Sequence, residues 1–193
     1  MPKKVDRQER RTLIADALMR VAAEQGLEAV SLRHVAAEAG VSPGMVQHYF
    51  RTKDEMMAFA MAVVRERGQI RVGDALARLG ENPPPRQLLR TMIAALLPLD
   101  EQSRNDGRVA LAFLAYTAVR PAAAVAVSED TAELVDFIAG VVPGPAPREV
   151  AAGVLALMEG LGVYLLGGHY TPEQALGALD AHFDMVFHRP ATT

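Results

Sequence analysis

Apolar residues recur at intervals of three and four along most of the chain, the period of helices laid against a core. The first stripe is Ile14, Ala17, Leu18, Val21 and Ala22, and it stops at Gly26. Leu27 and Val30 pack the link to a shorter stripe, Leu32, Val35, Ala36 and Ala39. Ser31 is placed to cap that second helix, because its hydroxyl can accept from an otherwise orphan amide one turn on. Gly40 ends it where a left-handed residue is needed, and Val41 plugs the corner. Ser42 caps a third helix, with Pro43 at its first position, where a missing N–H is no loss. In that helix Val46 and Phe50, four apart, face inward and leave Gly44, Met45, Gln47 and His48 facing out.

A long helix follows from Thr52 to about Leu79, with Thr52 as cap and Glu55 three residues on to complete a capping box. Its apolar positions are Met56, Phe59, Ala60, Val63 and Val64, and the charged run Arg65-Glu66-Arg67 comes next. Gly80 and Pro83-Pro84-Pro85 break the chain. Helices are predicted at 86–97, 101–119 and 122–141, with Asp100 as a cap and Pro98, Pro121 and Pro143 as punctuation. Pro143-Gly144-Pro145-Ala146-Pro147 is a stiff connection too short for an interdomain tether.

From Glu149 to Gly168 the chain is apolar nearly all round, and by length alone it rivals a membrane span. Glu159 in its middle and Gly153, Gly160 and Gly162 argue against that reading, and no second such stretch exists. A helix apolar on every side is instead buried on every side, here against its own body and a partner subunit. The last helix, 172–188, carries Leu176, Leu179, Phe183 and Val186 as a packing seam. The fold class is therefore all-α. A three-helix N-terminal domain is expected over 1–53, and a second helical domain over 54–193.

Composition narrows the chemistry. Half of the residues are hydrophobic and 5% aromatic, which suits helices. No cysteine is present, so neither a disulfide nor a thiolate metal site can form. Met1 to Arg11 is charged and leads straight into an amphipathic helix, unlike a secretion signal, so a cytoplasmic location is expected. The net charge of −3 alone argues against general affinity for nucleic acid, but its distribution does not. Residues 1–53 hold nine Lys/Arg against six Asp/Glu, a net +3, and the remaining 11 basic and 17 acidic residues leave −6. That asymmetry fits a DNA-facing head on a body that phosphate repels.

The geometry of residues 31–53 is that of a helix-turn-helix whose second helix enters the major groove. Gly44 allows close approach, Gln47 can pair with an adenine edge, and Met45 can touch a thymine methyl. His48 joins them as a base reader; Ser42, Tyr49, Thr52 and Lys53 are candidate phosphate anchors, with Pro43 between them and Arg33 a further candidate. Lys3, Lys4, Arg7, Arg10 and Arg11 form either an arm against phosphate or a plain basic tail.

For the body, Met61, Met92, Leu96, Phe113, Tyr116, Phe137, Met158 and Tyr164 are the candidate wall of a small-molecule effector site, set against the competing reading of ordinary core. His169, His182, His188, Asp180 and Asp184 raise a metal reading, because 180, 184 and 188 share a helical face, but nothing enforces a full ligand set and no metal is expected. A nucleophile with its base, paired acids in apolar surroundings and a phosphate-cradling glycine loop are all lacking from the sequence pattern. Neither catalysis nor a cofactor is therefore expected.

The run from Gly26 to Met57 resembles the N-terminal domain of the TetR family of bacterial transcriptional regulators. The resemblance rests on Gly26, Leu27, Val35, Ala36, Ala39, Gly40, Val41, Ser42, Gly44, Tyr49, Phe50, Lys53 and Asp54. Gln47 departs from it, standing where many relatives have tyrosine. His48-Tyr49-Phe50 and Leu97-Pro98-Leu99-Asp100 are similar to the betaine-regulator-like branch. The resemblance implies a homodimer with a four-helix interface made by the last two helices. It also implies an operator on double-stranded DNA, repression relieved by a small-molecule effector, and a long fourth helix that shifts when the effector binds. The competing reading is a helical carrier or enzyme whose head no longer binds DNA.

Overall fold

The structure is a computed structural model that describes residues 2–26, 29–118 and 131–188, with side chains from residue 7 onward. Leu27, Pro121 and the first part of the helix expected at 122–141 lie outside the described residues. The described elements are all helical: α1 (Pro2–Gln25), α2 (Leu32–Glu38), α3 (Pro43–Tyr49), α4 (Lys53–Ala77), α5 (Pro85–Leu96), α6 (Glu101–Ala118), α7 (131–139), α8 (Pro147–Leu166) and α9 (Pro172–Phe187). They form two compact units. One holds the chain up to Arg67 together with α6 from Asn105; the other holds Gly68–Arg104 and the described chain after α6.

In the first unit, α1 buries Ile14, Leu18, Val21 and Ala22, and α2 buries Val35 and Ala36. From the α3 segment come Val46 and Phe50, and from α4 come Met56, Ala60 and Val63, on the inward stripes the periodicity predicts, together with Met57, which that stripe did not include. α6 contributes Val109, Phe113 and Tyr116. Among these apolar groups lies a charged knot. Arg67 of α4 reaches Asp16 of α1 at 2.7 Å and Asp106 of α6 at 3.3 Å, and the Asp106 side chain is 3% exposed. Burial opposes the charge on Arg67, but the hydrogen bonds and charges of the two aspartates outweigh it and raise its pKa. One guanidinium thus ties three helices.

In the second unit, Leu89, Ile93 and Leu97 from α5 meet Ile138 of α7, Val154, Leu161 and Leu165 of α8, and Leu179 and Phe183 of α9. Val72 and Leu76, on the last turns of α4, pack against this core. Around it α5 and α9 are joined by charge. Arg90 grips Asp180 with two bonds of 2.6 and 3.0 Å, and Arg86 reaches Asp184 at 2.6 Å. The carboxylates that share a face with His188 are therefore engaged by arginines.

α8 is covered on one side within a single chain, and the expectation of burial on every side assigned the other side to a partner subunit. Within one chain its covered face is Ala151, Val154, Leu161 and Leu165, while Val163 and Tyr164 are exposed. By length and mean hydropathy, 1.6, this helix could cross a membrane. Its periodic seam against α5 and α9 gives it another use, that of a core helix with a second apolar side.

Candidate nucleic-acid interface

The α2–α3 corner is set by local chemistry. Ser31 Oγ accepts from the His34 amide at 3.2 Å, and Ser42 Oγ accepts from the Met45 amide at 3.2 Å. At the end of α2 the Val41 amide bonds the Ala36 carbonyl at 2.9 Å and the Gly40 amide bonds Ala37 at 3.2 Å. That double closure requires a left-handed residue after the cap, and Gly40 supplies it with φ +66°. The first helix of the pair is further located by Arg20 of α1, 2.5 Å from Glu38, and by His34, whose Nδ1 donates to the Ala29 carbonyl at 2.7 Å.

With Val46 and Phe50 fully buried, α3 can present only one face outward. Ser42, Pro43, Gly44, Met45, Gln47 and His48 are exposed, and Tyr49 is half-buried with its ring edge-on to His48, centroids 5.2 Å apart. Gly44 carries no side chain on this face, and a Cβ there would meet only Ser42 Oγ, at 4.0 Å. Arg33 is exposed on α2. The surface is therefore a short row of amide, imidazole, thioether and hydroxyl groups on a helix narrow enough to lie in a major groove.

The start of α4 closes the row. Thr52 Oγ1 accepts from the Glu55 amide at 3.1 Å, and the Glu55 carboxylate accepts from the Arg51 amide at 2.9 Å. Thr52 is exposed and Lys53 half-buried, one residue into the helix. The Tyr116 hydroxyl of α6 donates to Asp54 in this same first turn. Sequence reasoning missed that tie, as it missed the Arg67 knot. A signal for the second was present: Asp106 falls on the stripe of Val109 and Phe113, where an acid needs a buried partner.

The basic residues before Leu13 belong to α1, which is helical from Pro2. Arg7 and Arg10 are exposed, whereas Arg11 turns inward toward Phe50 and Phe59.

The candidate effector residues divide between the units. Met61 is half-buried and Phe113 and Tyr116 are buried in the first. In the second, Met92 is buried and Leu96 and Met158 half-buried, but Phe137 and Tyr164 are 46% and 48% exposed. Tyr164 stacks on Tyr170 with centroids 4.9 Å apart and meets His169 edge-on.

The model of the N-terminal domain of bacterial regulatory proteins of the tetR family matches residues 14–59, and that of the BetI-type transcriptional repressor C-terminal domain matches residues 85–188. The chain belongs to the TetR family. Among curated TetR-type relatives, the regulator BetI of Burkholderia thailandensis is 30% identical over 96% of this chain and 97% of its own length. The regulator PksA of Bacillus subtilis is 39% identical over 60% of this chain, a match that spans 55% of PksA. The crystal structure of a transcriptional regulator from Rhodococcus sp. Rha1 superposes with a TM-score of 0.82 at 34% identity, covering 92% of this chain and 96% of that one. TetR-family regulators bind operator DNA, commonly as dimers, and small-molecule effectors. This TetR-type chain is accordingly a transcriptional regulator and not an enzyme.

Proposed function

We propose that this protein is a repressor that binds a pseudo-palindromic operator as a homodimer and leaves it when a small molecule occupies the C-terminal domain. The observation that carries the reading is the exposed row on α3, held by a buried pair, Val46 and Phe50, that leaves it no other orientation. Gln47, Met45, Gly44 and His48 read base edges, and Ser42, Tyr49, Thr52 and Lys53 anchor phosphates around them, with Pro43 and Arg33 at the margins. Two such helices, one per subunit, would meet half-sites about 34–36 Å apart or a multiple of that.

The uncovered side of α8 supports the dimer. Only 22% of its apolar stretch is buried within one chain, and Met185 on α9 is 65% exposed. A second copy laid against these two helices would cover both. Effector release follows from linkage: a ligand that prefers one arrangement of the heads lowers DNA affinity by the ratio of its affinities for the two arrangements. The large residues named above for the C-terminal domain are the candidates to meet it. The site of action of such a regulator is the cytoplasm.

Selection from a randomised duplex pool, followed by sequencing of the bound fraction, tests the proposal. Enrichment of an inverted repeat supports a dimeric operator reader and supplies the probe for effector screening. Protein that is folded yet enriches no sequence at moderate salt would overturn it.

A further inference from the structure

Arg11 has chemistry that a basic tail does not explain. Its guanidinium carbon lies 4.3 Å from the centroid of the Phe59 ring and 5.0 Å from that of Phe50. The two rings are themselves 5.5 Å apart and tilted by 51°. The Arg11 Nε is buried and has no hydrogen-bond partner among the described residues. A buried, unpaired N–H of a charged group is unfavourable, and the attraction of the cation to two ring faces is what offsets it here.

The three residues come from three elements. Arg11 is on α1, Phe59 is on α4, and the fully buried Phe50 is the C-cap of α3, its amide closing that helix on Val46 at 2.9 Å. α3 is only seven residues long, too short to hold its shape or direction alone. Its N-terminal end is fixed by Ser42 and the Gly40 turn. Its C-terminal end has Phe50.

We propose that Arg11 is a positioning residue for DNA reading: it clamps Phe50 onto Phe59 and thereby fixes the angle at which α3 presents Gln47 and His48. This role rests on the proposed reading of α3 as the base-reading helix. It requires the planar guanidinium, which stacks on rings over its whole face; the compact ammonium of lysine does not. A phosphate anchor would need only the charge. The two roles therefore separate on the conservative variant.

The experiment compares wild type, Arg11→Lys and Arg11→Met in two readouts. The first is hydrogen–deuterium exchange of the free protein, followed in peptides covering α3 and, as an internal control for global stability, in peptides from α8. The clamp predicts that both variants speed exchange at the C-terminal end of α3 about tenfold, with α8 unchanged. The second is binding to the selected operator and to random duplex across a salt series. Both variants should lose about tenfold in operator preference, while the salt slope keeps its wild-type value, because no phosphate contact has been removed.

Unchanged α3 exchange would overturn the clamp whatever happens with DNA. So would wild-type binding by Arg11→Lys combined with a salt slope lower by about 0.9 in Arg11→Met, the signature of a phosphate contact. If instead the exchange result holds but wild type prefers no sequence, the DNA-reading proposal fails and the purpose of the clamp fails with it. The two failures are distinguishable.

Discussion

Gly40 holds the corner of the proposed DNA-reading pair in a conformation that L side chains avoid, φ +66°, and a Cβ there would meet nothing within 4 Å. The cost of Gly40→Ala is therefore conformational alone, about 1–2 kcal/mol, and should appear as a lower urea midpoint with an unchanged slope. Substitutions at Gln47 and Lys53 test whether base reading and charge are separate. Gln47 is exposed mid-way along α3, and Gln47→Ala should relax the preference at one base pair by about 1–3 kcal/mol while leaving random duplex binding as it was. Lys53→Ala should weaken every sequence alike and lower the salt slope by about 0.9, as one lost phosphate contact requires. Titrations of operator and random duplex at several salt concentrations read both variants. Equal losses on the two duplexes for both substitutions would refute the division of roles.

Between helices, what could be read from the sequence depended on distance along the chain. The caps Ser31, Ser42, Thr52 and Asp100 were legible because each finds its partner three residues on; Asp100 Oδ1, for one, accepts from the Ser103 amide at 2.8 Å. The inward stripes were legible because they are periodic. Arg67 was not, since its partners lie 51 and 39 residues away and its neighbours Arg65 and Glu66 make the run look like a solvated face. Arg11 hid in the same way among the basic residues of the first helix. Asp180 and Asp184 were visible as a shared face, but only the fold brings α5 against them. That pairing has a pH signature. The hydrogen bonds from Arg90 hold the Asp180 carboxyl below the usual carboxylate range. A depressed folded pKa contributes stability that is present above the unfolded value, about 3.9, and lost as pH falls through the folded one. Both side chains are about one-third exposed, so Asp180→Asn should cost only about 1 kcal/mol at neutral pH. Denaturant midpoints of the two proteins should converge as pH falls through the depressed folded pKa, and a difference that persisted once the carboxyl is protonated would assign the loss to packing.

For the whole molecule, the chain carries two unlike surfaces. The first 53 residues carry +3 and the rest −6, so phosphate attracts one end of the chain and repels the other. The other surface is the apolar side of α8 and α9, and in its midst stands a carboxylate, Glu159. It is exposed on α8, yet desolvation already pushes its pKa up. Covering this side with a second copy would desolvate Glu159 further, so association should take up protons. A carboxyl whose pKa rises on association opposes the dimer when it is charged, and that opposition fades as pH falls through the raised value. The proposed dimer should therefore dissociate more readily at mildly alkaline than at mildly acidic pH, as the carboxyl gives up its proton. Glu159→Gln keeps the shape and removes the charge, so its dimer should be tighter than wild type at the higher pH and change less between the two. Sedimentation equilibrium at both pH values measures this for both proteins. A glutamine variant that dimerises more weakly, or with the wild-type pH dependence, would place Glu159 outside the subunit interface.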